Sequence, residues 1–315
     1  MKEIVETKNV KAVKNAVRNT INEKGMVAII GEIGIGKTTM YNVLKSFWES
    51  HPHKFTVIEM MSFKSRNSRI SPIMELLIQA MSPGAHVPHI IEKKYFMLRD
   101  HLRDTKKNII LVADEAQDLN MQTFRDIKKI HEIAGGGQDH LFSVVFFGKT
   151  DLKWRRLFDT PELGERMHRL KLEKLSAEEL VLIAEKTFNL RFQTPKAKER
   201  FASAMSNRTP LDVQFTARSI RHFYGVPQDQ VVPVTNEMIA DLSTMTLKYQ
   251  VNMVGLTQGQ IAERASEELG KTVSRQRISE TLNGKDSPLK QGIETVIQKM
   301  MDEHYSGKQA HSDAM

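Results

Sequence analysis

Apolar residues along the chain fall into two alternating kinds of run. Short continuous stretches occur at 26–30 (Met-Val-Ala-Ile-Ile), 55–59, 109–113 (Ile-Ile-Leu-Val-Ala) and 142–147 (Phe-Ser-Val-Val-Phe-Phe). Such runs mark strands covered on both faces, as in a parallel sheet. A weaker, alternating stretch follows at 168–173. Between them the spacing is helical: Val10, Val13, Val17 and Ile21 share one face of 8–24, and Gly25 closes it. Further helical patterns lie at 37–49, 72–81, 90–104 and 121–134. Strands alternating with helices predict a doubly wound α/β layer. Beyond about residue 175 the strand-type runs stop. Ser176-Ala177-Glu178-Glu179 reads as a capping box opening a helix, and helices are expected at 195–206, 210–223 and 235–249. Gly255 begins another short helical unit reaching about 303, before a tail.

Composition narrows the chemistry. The chain has 315 residues and no cysteine, which removes disulfides, thiol nucleophiles and cysteine-bound metals. The histidines do not pair at helical spacing with a third ligand. No apolar run approaches the roughly 20 residues of a membrane span, so the expected setting is the cytoplasm, with no membrane partner. Formal charge is +8, and its distribution is uneven. Residues 1–240 hold 37 Lys+Arg against 28 Asp+Glu, whereas 241–315 hold 9 against 10. A polyanionic partner is therefore to be sought along the larger N-terminal part.

The first strand runs into Gly31-Glu32-Ile33-Gly34-Ile35-Gly36-Lys37-Thr38, a full G-x-x-x-x-G-K-[ST] match. Glycines let backbone N–H groups curl around a phosphate, and the helix that follows points its positive end at the same place. Lys37 is expected at the β- and γ-phosphates and the Thr38 hydroxyl on Mg²⁺, with Thr39 beside them in the same turn. The strand at 109–113 delivers Asp114 and Glu115 at its C-terminal end, where ligand sites of open α/β sheets form. Asp114 is expected to hold Mg²⁺ through water and Glu115 to polarise an attacking water. Asp118 is a candidate N-cap for the helix at 121–134. ATP and Mg²⁺ are the implied ligands.

These motifs resemble the AAA+ ATPases over roughly residues 8–250, and Asp114-Glu115-Ala116-Gln117 is similar to the form found in the MuB/TnsC/TniB transposition ATPases and the ExeA-like ATPases. The resemblance implies a three-layer core with a five-stranded parallel sheet over 1–175 and a helical lid over 176–250. It also makes Gly148-Lys149-Thr150-Asp151-Leu152 similar to a sensor 1 stretch, with Thr150 or Lys149 at the γ-phosphate. In Glu165-Arg166-Met167-His168-Arg169 it implies an arginine reaching a neighbouring subunit's site: Arg166, with Arg169 second. The lid departs from the family pattern. In Asn207-Arg208-Thr209-Pro210-Leu211-Asp212 the expected sensor 2 arginine falls on Leu211, so that role is unassigned, with Arg208 and Arg218 as substitutes.

Residues 251–303 resemble a phage-repressor helix-turn-helix, with Thr257 as N-cap, although the turn is longer than usual. Ile261, Ala262, Ala265, Val273, Ile278 and Leu282 would form its core. Ser274, Arg275, Gln276 and Ser279 would face the major groove, with Arg277 nearer the backbone. A small module that binds protein is the alternative. Residues 304–315 are expected to be a flexible tail. After the second strand, Lys64, Arg66 and Arg69 suit phosphate oxygens, and by resemblance that loop would line a filament wound on DNA. The resemblance thus implies a homo-oligomer or filament on nonspecific double-stranded DNA that marks a target for a transposase. A helicase loader, a secretion-associated ATPase and a nucleotide-gated transcriptional regulator are the alternatives.

Overall fold

The computed structural model describes residues 4–60, 70–133, 140–150, 157–164, 166–227, 229–239, 251, 256–282, 285 and 287–312. By compactness the chain divides into two units. One comprises 1–188 with 202–214, and the other comprises 189–201 with 215–315.

The first unit is an α/β layer. Its elements run α1 (Lys8–Glu23), β1 (Met26–Gly31), α2 (Lys37–Glu49), β2 (Phe55–Glu59), α3 (Ile70–Met81), α4 (Ile91–Asp104), β3 (Asn108–Ala113), α5 (Met121–His131) and β4 (Ser143–Lys149). The one-turn helix α6 (Pro161–Gly164), β5 (Met167–Lys171) and α7 (Ala177–Lys186) follow. The five strands form one sheet in the order β2-β3-β4-β1-β5, every pair parallel.

Alternation along the central strands builds two cores from one sheet. Met26, Ala28, Ile30, Ile109, Leu111, Val144 and Phe146 pack with α3, α4 and α5. Val27, Ile29, Ile110, Val112, Val145 and Phe147 pack with α1 and α2. Every residue of β1 is buried, which is why its sequence reads as an unbroken apolar run. β5 lies at the sheet edge with His168 and Arg169 exposed, which accounts for its weaker pattern.

Two expectations about helix starts separate here. The capping box at α7 is present: Ser176 Oγ accepts the Glu179 N–H at 3.2 Å, and Glu179 Oε2 accepts the Ser176 N–H at 3.1 Å. At α5 the cap is Asn120, not Asp118. Asn120 Oδ1 accepts the Thr123 N–H at 2.7 Å, while Asp118 ends a 3-10 turn over Ala116–Asp118. Asp118 lies three residues before the helix, too far to reach its first free N–H groups.

The region after the five-stranded sheet is helical, as expected, with one short addition. β6 (Leu190–Phe192) and β7 (Val232–Val234) form a two-stranded parallel sheet. Each is three residues long, below the length at which an apolar run registers, and β7 carries Pro233 at its centre. α8 (Pro195–Ala204) and α9 (Pro210–Phe223) each begin in one unit and end in the other.

α10 (Gln258–Leu269), α11 (Arg275–Leu282) and α12 (Lys290–Ser312) close the chain. Ile261, Ala262, Ala265, Val273, Ile278 and Leu282 are buried together, sealed by Ile293, Val296, Ile297 and Met301 of α12. Outside that core, Arg264 and Lys299 both pair with Glu268, and Arg264 also pairs with Glu303. The helix α12 continues to Ser312, through positions where the sequence suggests a tail. Among the described residues no helix is long and apolar enough to cross a membrane.

Candidate nucleotide site

β1 ends at Gly31, and the loop that follows turns on two glycines with left-handed backbone, Gly34 (φ 79°) and Gly36 (φ 99°). Non-glycine residues rarely adopt those angles. Gly36 is the N-cap of α2 and offers no side chain to its first turn, so the leading N–H groups remain available to an anion. Ile35 is buried beneath the loop, while Glu32, Ile33, Thr38 and Thr39 are exposed. Lys37 is buried. Its ammonium donates to the carbonyls of Gly31 at 3.0 Å and Glu32 at 2.9 Å. Burial pulls the Lys37 pKa below its ordinary value; the carboxylates of Glu115 and Asp114 oppose that pull, and Lys149 adds to it.

Asp114 follows β3 at the same sheet edge. Burial raises its pKa; the Glu115 N–H and Lys37 hold it down, and the Glu115 carboxylate pushes it up further. Glu115 stands in left-handed backbone, φ 48°. Asp114 Oδ1 accepts its N–H at 2.9 Å. Beyond β4, the Thr150 N–H donates to Gly31 O at 3.3 Å. The Thr150 hydroxyl oxygen is buried and has no hydrogen-bond partner. An uncapped helix start, a buried ammonium on carbonyls, two acids and an orphaned hydroxyl fit a Mg²⁺-nucleotide.

The structure therefore brings Gly31, Gly34, Gly36, Lys37, Asp114, Glu115 and Thr150 to one edge. Arg166 is elsewhere. It is exposed and precedes Met167, which pairs with Met26 at the start of β1. Five strand steps separate Met26 from Gly31, about 16 Å. Arg169, the second candidate, has its guanidinium 4.8 Å from the centre of the Phe158 ring. Lys64, Arg66 and Arg69 lie outside the described residues, as do Asp151 and Leu152.

In the second unit, Ser274, Arg275 and Gln276 are exposed at the start of α11, and Ser279 is partly exposed. Ser274 Oγ accepts the Arg277 N–H at 3.3 Å. Gln276 donates to Glu280 at 3.3 Å. Arg275 lies against Gly259, where a Cβ would meet its Nη2 at 3.2 Å.

Two contacts were not legible in sequence. Leu211, where the resemblance places an arginine, donates its N–H to Gly34 O at 3.2 Å. A Cβ on Gly34 would stand 2.8 Å from both Leu211 Cβ and Thr209 Oγ1. The second is Gln117, which donates to Glu115 Oε2 and accepts the Lys149 N–H at 3.0 Å.

The fold is an α/β fold of the kind typical of an AAA+ core: a five-stranded parallel sheet with a glycine-rich loop after its first strand and paired acids after its third. Residues 19–155 match the family model described as AAA domain. Disease resistance protein RPS4B of Arabidopsis thaliana is 28% identical over 88 residues, which is 27% of this chain and 8% of that protein. The chain thus spans less than a tenth of that curated relative's length. Among solved structures, the Aeropyrum pernix ORC1 protein in complex with DNA is similar over 95% of this chain and 84% of that chain, at 15% identity and TM-score 0.51. Cdc6p from Pyrobaculum aerophilum is similar over 94% and 85%, at 15% identity and TM-score 0.49. At such identity the first of these likenesses speaks for the fold alone.

Proposed function

We propose that the chain is an ATPase that binds DNA, assembles on it as an oligomer when ATP is bound, and disassembles on hydrolysis. The carrying observation is the edge where Lys37, Asp114, Glu115 and the orphaned Thr150 hydroxyl converge. Lys37 leaves its two carbonyls to neutralise the β- and γ-phosphates, and the N–H groups of the loop orient them. Thr38 and Asp114 would hold Mg²⁺, which screens the phosphate charge when bound. Glu115 orients and deprotonates the attacking water, and Thr150 meets a γ-phosphate oxygen.

Arg166 supports an oligomer. At the sheet edge opposite its own phosphate loop it serves a neighbour's site rather than its own, and such an arginine is worth on the order of 10³–10⁵ in rate. DNA binding is supported by the basic excess of residues 1–240 and by a fold similar to a protein solved with DNA. Target selection for a transposase extends this reading through the resemblance to the MuB/TnsC/TniB group. A nucleotide-gated transcriptional regulator is the second reading, favoured by the exposed Ser274, Arg275 and Gln276 on a well-packed three-helix module.

Electron microscopy of the Glu115→Gln protein with ATP, Mg²⁺ and random-sequence duplex tests the proposal. A DNA-wound oligomer is expected with ATP and not with ADP. Binding confined to one operator sequence as a discrete dimer would favour the regulator, and no ATP-dependent oligomer overturns the filament.

A further inference from the structure

Glu115 has its backbone fixed on both sides: Asp114 Oδ1 takes its N–H, and its carbonyl accepts the Asp118 N–H at 2.9 Å. With φ at 48° the turn has little freedom, so what remains to be set is the direction of the carboxylate. Gln117, only 7% exposed, donates to that carboxylate through its Nε2. The other end of the same carboxamide accepts the N–H of Lys149 at 3.0 Å. Lys149 pairs in register with Gly31, and the next residue is Thr150. The Thr150 N–H and the Lys37 ammonium both donate to Gly31 O. Two sets of hydrogen bonds, joined by the Lys149–Thr150 peptide, therefore link Lys37, the end of β4 and Glu115.

We propose that Gln117 is a positioning residue whose carboxamide holds the Glu115 carboxylate in register with the end of β4, so that phosphate capture by Lys37 and Thr150 is transmitted to the acid. The proposal deepens the reading of this edge as an ATPase site and rests on it. A carboxamide suits the task because it donates to a carboxylate through nitrogen while accepting a backbone N–H through oxygen. When Lys37 turns to a phosphate it releases Gly31 O, leaving that carbonyl to Thr150. The Lys149–Thr150 backbone then shifts, and Gln117 carries the shift to Glu115. Without ligand, Gln117 keeps one carboxylate oxygen occupied.

Steady-state hydrolysis and ATP-analogue binding of Gln117→Leu and Gln117→Glu test this beside wild type and Glu115→Gln. Misdirecting the base should lower kcat on the order of 10²-fold, with KM and analogue affinity within about 2-fold of wild type. Gln117→Glu puts a second carboxylate against Glu115 and removes the N–H donor, so its kcat should fall at least as far as that of Gln117→Leu, again with KM little changed.

Wild-type turnover in Gln117→Leu or Gln117→Glu, or equal losses of binding and kcat, would each overturn the inference. If the wild type hydrolyses ATP and Glu115→Gln does not, those outcomes leave the ATPase reading intact. A wild type that neither binds nor hydrolyses ATP removes both.

Discussion

His131 ends α5 with its ring buried, its Nε2 2.8 Å from the carbonyl of Lys24 and its face stacked on His140 at 4.2 Å. Burial, aided by His140, lowers its pKa from 6.5 to about 4. A depressed histidine pKa means that the unfolded chain takes up the proton first as pH falls. Its contribution is whole above pH 6.5 and drains away towards pH 4. Between pH 7 and pH 5 the cost is about 2 kcal/mol. Denaturant titration of His131→Gln should show a flatter pH dependence by that amount; an unchanged slope would place the acid sensitivity elsewhere. Nothing in the sequence singles out His131, because its partner is 107 residues away. Gln117 escaped for the same reason, its acceptor role facing Lys149. Lys37, Asp114 and Glu115 were legible because their chemistry is written in local motifs at strand ends.

The glycine loop is the element on which the site depends most. Gly34 combines a left-handed φ of 79° with the close approach of Leu211 and Thr209. Gly34→Ala should destabilise the protein by about 1 kcal/mol or more and weaken ATP-analogue binding, since relief requires the loop and the 209–211 turn to part. Unaltered stability and binding would show that the contact is dispensable. Ser176→Ala, which removes the α7 cap without touching the nucleotide edge, should cost about 1 kcal/mol in denaturation and leave analogue affinity unchanged. Central strands were legible because burial on both faces leaves no polar position. The β6–β7 pair was not, since three residues with a proline carry no period. The cap of α5 was misplaced because Asp118 and Asn120 are equally good caps by type. Only the turn decides between them.

At the scale of the whole molecule the charge is unevenly spread. Residues 1–240 carry the whole basic excess, while the C-terminal part has 9 basic and 10 acidic residues. Under the proposed function, backbone binding to DNA would fall to the part holding the nucleotide edge, with Lys64, Arg66 and Arg69 as candidates. Alanine at all three should flatten the dependence of log K on log salt by roughly 0.9 per lost phosphate contact; an unchanged slope removes them from the interface. Because Arg166 stands at the far edge from its own phosphate loop, hydrolysis should require neighbours. Mg²⁺-dependent ATP turnover per subunit, followed against protein concentration with random duplex present, measures this directly. Turnover should climb as subunits assemble, vanish in Glu115→Gln and fall on the order of 10³-fold or more in Arg166→Ala. A rate independent of concentration, or one that survives Glu115→Gln, would contradict an ATPase completed by its neighbour.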